Sequence, residues 1–326
     1  MTKTLTASHI EKTALPIIDV ADLSASDPAR RQAVGAALRA ACLDKGFFYC
    51  VGHGVPQGLV DAVFEETRTL FDLPDEAKMA LEKSRSKANR GYEVLGGQTL
   101  EAGAPADRKE GYYIGVELPE DDPRVQAGRF NRGPNVWPQD LPSFQPTMNA
   151  YFAALTTLGA RLMQGIALSL DLSEDFFAAY GRDPLATLRL LHYPPQQPDD
   201  PKDARGAGAH TDFGGLTILL QDEVGGLQVR NAESGEWIHA QPVPGAFIVN
   251  LGDMIARWTN DTYQSTLHRV INTSGRERYS VPFFYAGNPD FEVRCIPTVL
   301  AENEAPKYPA VTVEGHLQAM YAKTYK

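Results

Sequence analysis

The stretch GAGAHTDFGGLTILLQ, Gly206 to Gln221, places a His-x-Asp pair between a run of small residues and an apolar run rich in strand formers. Leu216 to Gln221 has the composition of a buried strand. If the strand pattern extends back through the pair, successive side chains alternate between faces, so His210 and Asp212 share one face and Thr211 points away. Two good metal ligands then stand side by side. A chain with 7 histidines yields such a pair by chance often enough that it needs a third ligand and a structural reason.

Outward from this stretch, the chain from Thr187 onward reads as short β runs separated by turn residues: TLRLLHY, GLTILLQ, GLQVRN, EWIHAQ, AFIVNLG, TLHRVIN, RYSVPFFY and FEVRC. That spacing predicts an all-β block of about eight strands, a barrel or jelly roll. Upstream, LPIIDV and GFFYCVGHGV read as strands, and Pro28 to Lys45 and Pro56 to Leu73 as helices. Leu81 to Pro142 shows little periodicity apart from a strand at KEGYYIG, and Phe144 to Leu170 carries apolar residues at helical spacing, a long helix placed to brace the β block. The tail from Thr312 reads as helical. The fold class expected is mixed α/β (α+β), divided into an N-terminal helical and strand region over 1–142 and a β core with a C-terminal helix over 143–326.

Composition narrows the function. At 326 residues and 43% hydrophobic, the chain can bury a sizeable core. A net charge of −10 argues against nucleic acid or an anionic membrane as the main partner, since both demand a cationic surface. A small-molecule partner and a monomeric protein are expected. The N-terminus has no basic region followed by an apolar core, and no stretch approaches the about 18 apolar residues of a membrane span, so a cytoplasmic location is expected. Cys42, Cys50 and Cys295 lack C-x-x-C spacing and lie among apolar residues, which suits buried reduced thiols.

The third ligand comes from another strand, and STLHRVINT offers His268. Two imidazoles and one carboxylate leave about three metal positions open, an arrangement that favours non-haem Fe(II) and oxygen chemistry. Zinc is the competitor, although a zinc hydrolase usually adds a separate general acid or base. Further on, RYS sets Arg278 and Ser280 on one strand face. A guanidinium with a neighbouring hydroxyl makes a carboxylate clamp more selective than a lysine. An internal ion pair would explain the same arginine.

With these motifs in place, the chain resembles the isopenicillin N synthase-like branch of the iron(II) and 2-oxoglutarate-dependent dioxygenases over nearly its whole length. HTD, LHRV and RYS stand in the family's order, with GGLTILLQDEVGGLQV, VNLGDM, RWTND and VPFFY between and around them, and PIIDV and GFFYCVGHGVP match its N-terminal region. The resemblance implies a double-stranded β-helix, or jelly roll, flanked by helices. It implies that His210, Asp212 and His268 hold Fe(II), that Arg278 and Ser280 bind the distal carboxylate of 2-oxoglutarate, and that Tyr193 of the Y-P motif reaches the same carboxylate. It also implies consumption of O2, conversion of 2-oxoglutarate to succinate, and hydroxylation, desaturation or cyclisation of a small-molecule substrate. One departure is Leu191, where many plant members carry asparagine, which leaves contacts to the proximal end of the oxo acid open. The rival readings are an oxidase that uses the same triad without 2-oxoglutarate, and a non-catalytic binder of small carboxylates. Isopenicillin N synthase places a glutamine near its extreme C-terminus, whereas Gln318 stands well short of the end here. His53, His192 and His239 read as structural or solvated. Tyr92, the VLGGQ segment, Phe213, Leu317 and Tyr321 are expected to line the substrate pocket.

Overall fold

The computed structural model describes residues 15–196 and 205–324. In chain order its strands are β1 (Ile17–Asp19), β2 (Phe47–Val51), β3 (Gly91–Glu93), β4 (Glu110–Gly115), β5 (Leu185–Tyr193), β6 (Ala207–His210), β7 (Leu216–Gln221), β8 (Leu227–Arg230), β9 (Trp237–His239), β10 (Phe247–Leu251), β11 (His268–Val270) and β12 (Arg278–Gly287), followed by a short β13–β14 pair at Glu292–Val293 and Val311–Thr312. They build an eight-stranded sheet in the order β1-β2-β10-β7-β12-β5-β4-β3 and a four-stranded sheet in the order β6-β11-β8-β9. Four strands of the larger sheet come from the chain before Phe144, where only three were legible. β3 is three residues long, too short to show alternation.

The larger sheet is covered on both faces, which is why β10 and most of β12 are buried at every position rather than at alternate ones. One face packs against helices: α1 (Pro28–Asp44), α2 (Gln57–Phe71) and α5 (Phe144–Ser169). α1 begins where Asp27 caps it, its carboxylate accepting from the Ala29 N–H at 2.9 Å, with Pro28 in the first turn. α5 presents Met148, Tyr151, Leu155, Leu158, Leu162 and Ile166 at helical spacing to this core. Its glycines let it lie close, since a Cβ on Gly159 would come within 2.9 Å of Tyr285 on β12. The other face meets the smaller sheet across a second apolar cluster containing Phe47, Tyr49, Leu191, Leu227, Val229 and Ile248.

Short helices α3 (Asp75–Ala80), α4 (Pro123–Gln126) and α6 (Asp253–Trp258) fill the connections, and the tail forms α7 (Val313–Thr324). Among the described residues no helix is long and apolar enough to cross a membrane. The three cysteines are free and buried, as their surroundings suggested.

Candidate active site

His210 is the last residue of β6 and His268 the first of β11, and the antiparallel register sets them directly opposite each other, ring centroids 4.4 Å apart. Asp212 arrives differently from the expectation. It lies beyond β6, so strand alternation does not align it with His210. Residues 212–215 leave that sheet because they bond to the N-terminus of α6: Asp253 N–H to Asp212 O at 2.8 Å, Met254 N–H to Gly214 O at 3.1 Å and Gly252 N–H to Gly215 O at 2.8 Å. This contact carries the carboxylate back to the histidines. Asp212 Oδ1 is 3.8 Å from Nε2 of both His210 and His268, and ligand atoms of all three lie within 4.8 Å of one another.

The surroundings orient each donor. His210 Nδ1 donates to Gly208 O at 2.7 Å and His268 Nδ1 to Thr266 O at 3.1 Å, which leaves both Nε2 lone pairs facing the common centre. Asp212 Oδ2 accepts from Thr217 Oγ1 at 2.6 Å and Asn250 Nδ2 at 2.7 Å, so Oδ1 is the oxygen left for a metal. Burial and the nearby His268 push the His210 pKa well below its ordinary value, keeping the ring neutral. For Asp212, burial opposes ionisation, but the two imidazoles and the Asn250 and Thr217 donors outweigh it and hold the pKa below the usual range. Two imidazoles with Nε2 free and a carboxylate with one free oxygen, each held by hydrogen bonds, fit a divalent cation of the non-haem iron type.

Arg278 and Ser280 open β12, opposite Tyr193 and Leu191 of β5. The guanidinium is fully buried, its carbon 4.5 Å from the centre of the Tyr193 ring. Nε donates to Gly225 O and Nη1 to Ser280 Oγ at 3.3 Å, while Nη2 has no acceptor. No carboxylate pairs with it, so the internal ion pair that would have explained the arginine is absent among the described residues. One cavity is lined both by Tyr193, Arg278 and Ser280 and by His210, Asp212 and His268.

Family comparison agrees with this geometry. Residues 184–287 match the model of the 2OG-Fe(II) oxygenase superfamily, and residues 15–140 match the N-terminal model described as non-haem dioxygenase in morphine synthesis. The 2-oxoglutarate-Fe(II) type oxidoreductase hxnY of Emericella nidulans is 46% identical over 317 residues, 96% of this chain and 91% of that protein. The chain belongs to the 2-oxoglutarate and Fe(II) oxygenase superfamily. Clavatol oxidase claD of Penicillium crustosum is 37% identical over 95% of this oxygenase and 96% of its own length. Among solved structures, a full-length Neurospora crassa protein in complex with alpha-KG and thymine superposes with a TM-score of 0.83, at 30% identity over 98% of this chain and 100% of that one. The oxygenase thus uses Fe(II), 2-oxoglutarate and O2 to oxidise a small molecule.

Next to the triad lies a second pocket, formed in part by Gln98, Leu100, Tyr113, Arg189, Phe213 and Phe284. Leu317 and Tyr321 of α7 also line it, as expected, with Gln98 of VLGGQ, while Gly96 and Gly97 line a cavity beside it that shares His210 and Phe213. Tyr92 does not. The β3–β4 register pairs it with Tyr112 on the opposite face of the sheet, where its hydroxyl donates to Glu110 at 2.5 Å. His192 is structural: its ring stacks on Tyr279 and bridges Glu110 and Glu277, each at 2.7 Å. His53 holds the turn at 52–55, its Nδ1 accepting from the Val55 N–H at 3.1 Å.

Several functional residues escaped sequence reasoning. Asn250 and Thr217, which fix Asp212, stand within the quoted VNLGDM and GGLTILLQ segments but carry no signal of their own. Arg189 lines both cavities, its Nη2 donating to Glu93 and to Gln98 Oε1 at 3.0 Å. Lys109, 3% exposed, lines the triad cavity and pairs with Asp107.

Proposed function

We propose that His210, Asp212 and His268 hold the Fe(II) of this oxygenase, and that Arg278 and Ser280, stacked on Tyr193, bind the distal carboxylate of 2-oxoglutarate. The observation that carries this reading is the single cavity joining three converging metal ligands to a buried guanidinium whose Nη2 has no acceptor. Bound together, Fe(II) and 2-oxoglutarate supply O2 activation coupled to oxidative decarboxylation, which protein side chains alone cannot provide.

The chain's own residues position and exclude. Thr217 and Asn250 fix the Asp212 carboxylate, and Gly208 and Thr266 fix the imidazoles, so no ligand has to reorganise when the co-substrate enters. Arg278 sets the depth at which a five-carbon dianion sits, which places its oxo-acid end at the triad. Phe213, Phe284, Leu100 and Tyr321 surround the neighbouring pocket and keep water from the reacting C–H bond, while Gln98 and Arg189 give it a polar wall. Thymine in the Neurospora structure supports a small, compact substrate here too. The long helix α5 braces the sheet that carries Arg278 and Tyr193.

The test is alanine substitution of each triad residue. Each variant is expected to lose Fe(II) binding and O2-dependent turnover while retaining the wild-type circular dichroism spectrum, and Zn(II) is expected to inhibit the wild type. A variant that keeps wild-type iron affinity and turnover removes that residue from the ligand set.

A further inference from the structure

We propose that Lys109 is a second cation for the co-substrate, donating to the iron-proximal C1 carboxylate of 2-oxoglutarate while Arg278 holds the distal one; this rests on the 2-oxoglutarate reading of the cavity. Lys109 directly precedes β4, whose register with β5 sets Glu110 opposite His192 and Gly111 opposite Leu191. Continued by one residue, that register brings Lys109 beside Tyr193. Alternation puts Lys109 and Gly111 on one face and Glu110 on the other. The lysine accordingly lines the triad cavity with Tyr193, Leu191 and Arg278, whereas Glu110 bonds to His192 and Tyr92 on the far side.

Its hydrogen bonding is incomplete. An ammonium has three donors, yet among the described residues Lys109 Nζ has one acceptor, Asp107 Oδ2. The other Asp107 oxygen accepts from the Gly208 N–H at 2.8 Å, and Gly208 O receives the His210 Nδ1–H. Through Asp107 and Gly208 the lysine is linked by hydrogen bonds to the His210 ring. A buried cation with open donors is costly unless an anion completes its shell.

The ligand's chemistry supplies that anion. 2-Oxoglutarate carries two carboxylates into a cavity that already holds the Asp212 carboxylate. Leu191, which lines the same cavity from β5, is apolar and cannot donate to either of them. Arg189 is engaged by Glu93 and Gln98. Lys109 is the cation that remains for the proximal carboxylate.

Lys109→Met alone would leave Asp107 as a buried unpaired charge, so the Asp107→Asn/Lys109→Met double variant is used beside it. The asparagine oxygen still accepts from Gly208. The Fe(II)-loaded full chain is titrated without oxygen, following the visible charge-transfer band of the oxo-acid chelate, with 2-oxoglutarate and with 2-oxopentanoate, which lacks the distal carboxylate. Both acids are expected to bind about 10- to 100-fold more weakly to the double variant, the scale of one charge-assisted hydrogen bond, with Fe(II) affinity unchanged. Wild-type constants for both acids would make Lys109 only the structural partner of Asp107 and overturn the proposal. Loss of Fe(II) affinity would also overturn it, because the lysine would then act through Gly208 on the metal site. A wild-type protein with no band at all would remove the cavity reading itself, and the proposal with it.

Discussion

Replacing Arg278 by lysine is the most informative perturbation of the proposed co-substrate clamp. The guanidinium is fully buried and held on three sides, by Gly225 O, by Ser280 Oγ and by the Tyr193 ring, so that Nη2 alone is left for a ligand. Lysine keeps the charge but loses the planar fork, the stack and the fixed direction of that donor. The loss is one charge-assisted hydrogen bond, about 1.5–3 kcal/mol, which is about a 10- to 150-fold rise in the 2-oxoglutarate half-saturation constant. Ser280→Ala removes a neutral hydroxyl and is expected to cost less, about 0.5–1.5 kcal/mol. Both are read in uncoupled conversion of 2-oxoglutarate to succinate, which needs no knowledge of the substrate. Binding of 2-oxopentanoate is the control, since it has no distal carboxylate for Arg278 to hold. An unchanged 2-oxoglutarate constant, or equal weakening for both acids, would refute the assignment of Arg278 to the distal end.

Asn250→Ala removes one of the two donors that fix Asp212 Oδ2, and Fe(II) affinity is expected to fall about 10- to 100-fold with the fold retained; competition with a chelator measures it. His192 carries a pH-dependent contribution to stability. Burial would lower its pKa, but Glu110 and Glu277 outweigh burial and raise it above 6.5. A raised folded-state value means the stabilisation is fully present below the unfolded pKa and is lost as pH rises through the folded one. Thermal melts of His192→Gln are thus expected to differ from wild type most in mild acid, the gap narrowing as the medium turns alkaline.

The His210, Asp212 and His268 cluster was legible because its members are rare residue types in short motifs, although strand alternation is not what joins two of them. His210 and Asp212 meet through a turn stitched to Gly252, Asp253 and Met254, a contact between distant segments that periodicity cannot express. Arg278 and Ser280 were read correctly from alternation, because β12 is a regular ten-residue strand. Tyr92 was misplaced because β3 is too short to show which face it presents. Lys109 sat inside a quoted strand motif, yet its importance depends on Leu191 and Tyr193 across the β4–β5 pairing, and nothing local marks it. The extent of the larger sheet was hidden for the same reason: β2 pairs with β10, far along the chain.

Anaerobic addition of Fe(II) and then 2-oxoglutarate to the full chain reads the metal and co-substrate sites together. A visible charge-transfer band is expected that saturates with 2-oxoglutarate, is lost in Asp212→Ala and requires higher 2-oxoglutarate in Arg278→Lys. Iron-loaded wild-type protein that gives no band and binds no 2-oxoglutarate would contradict the proposed function.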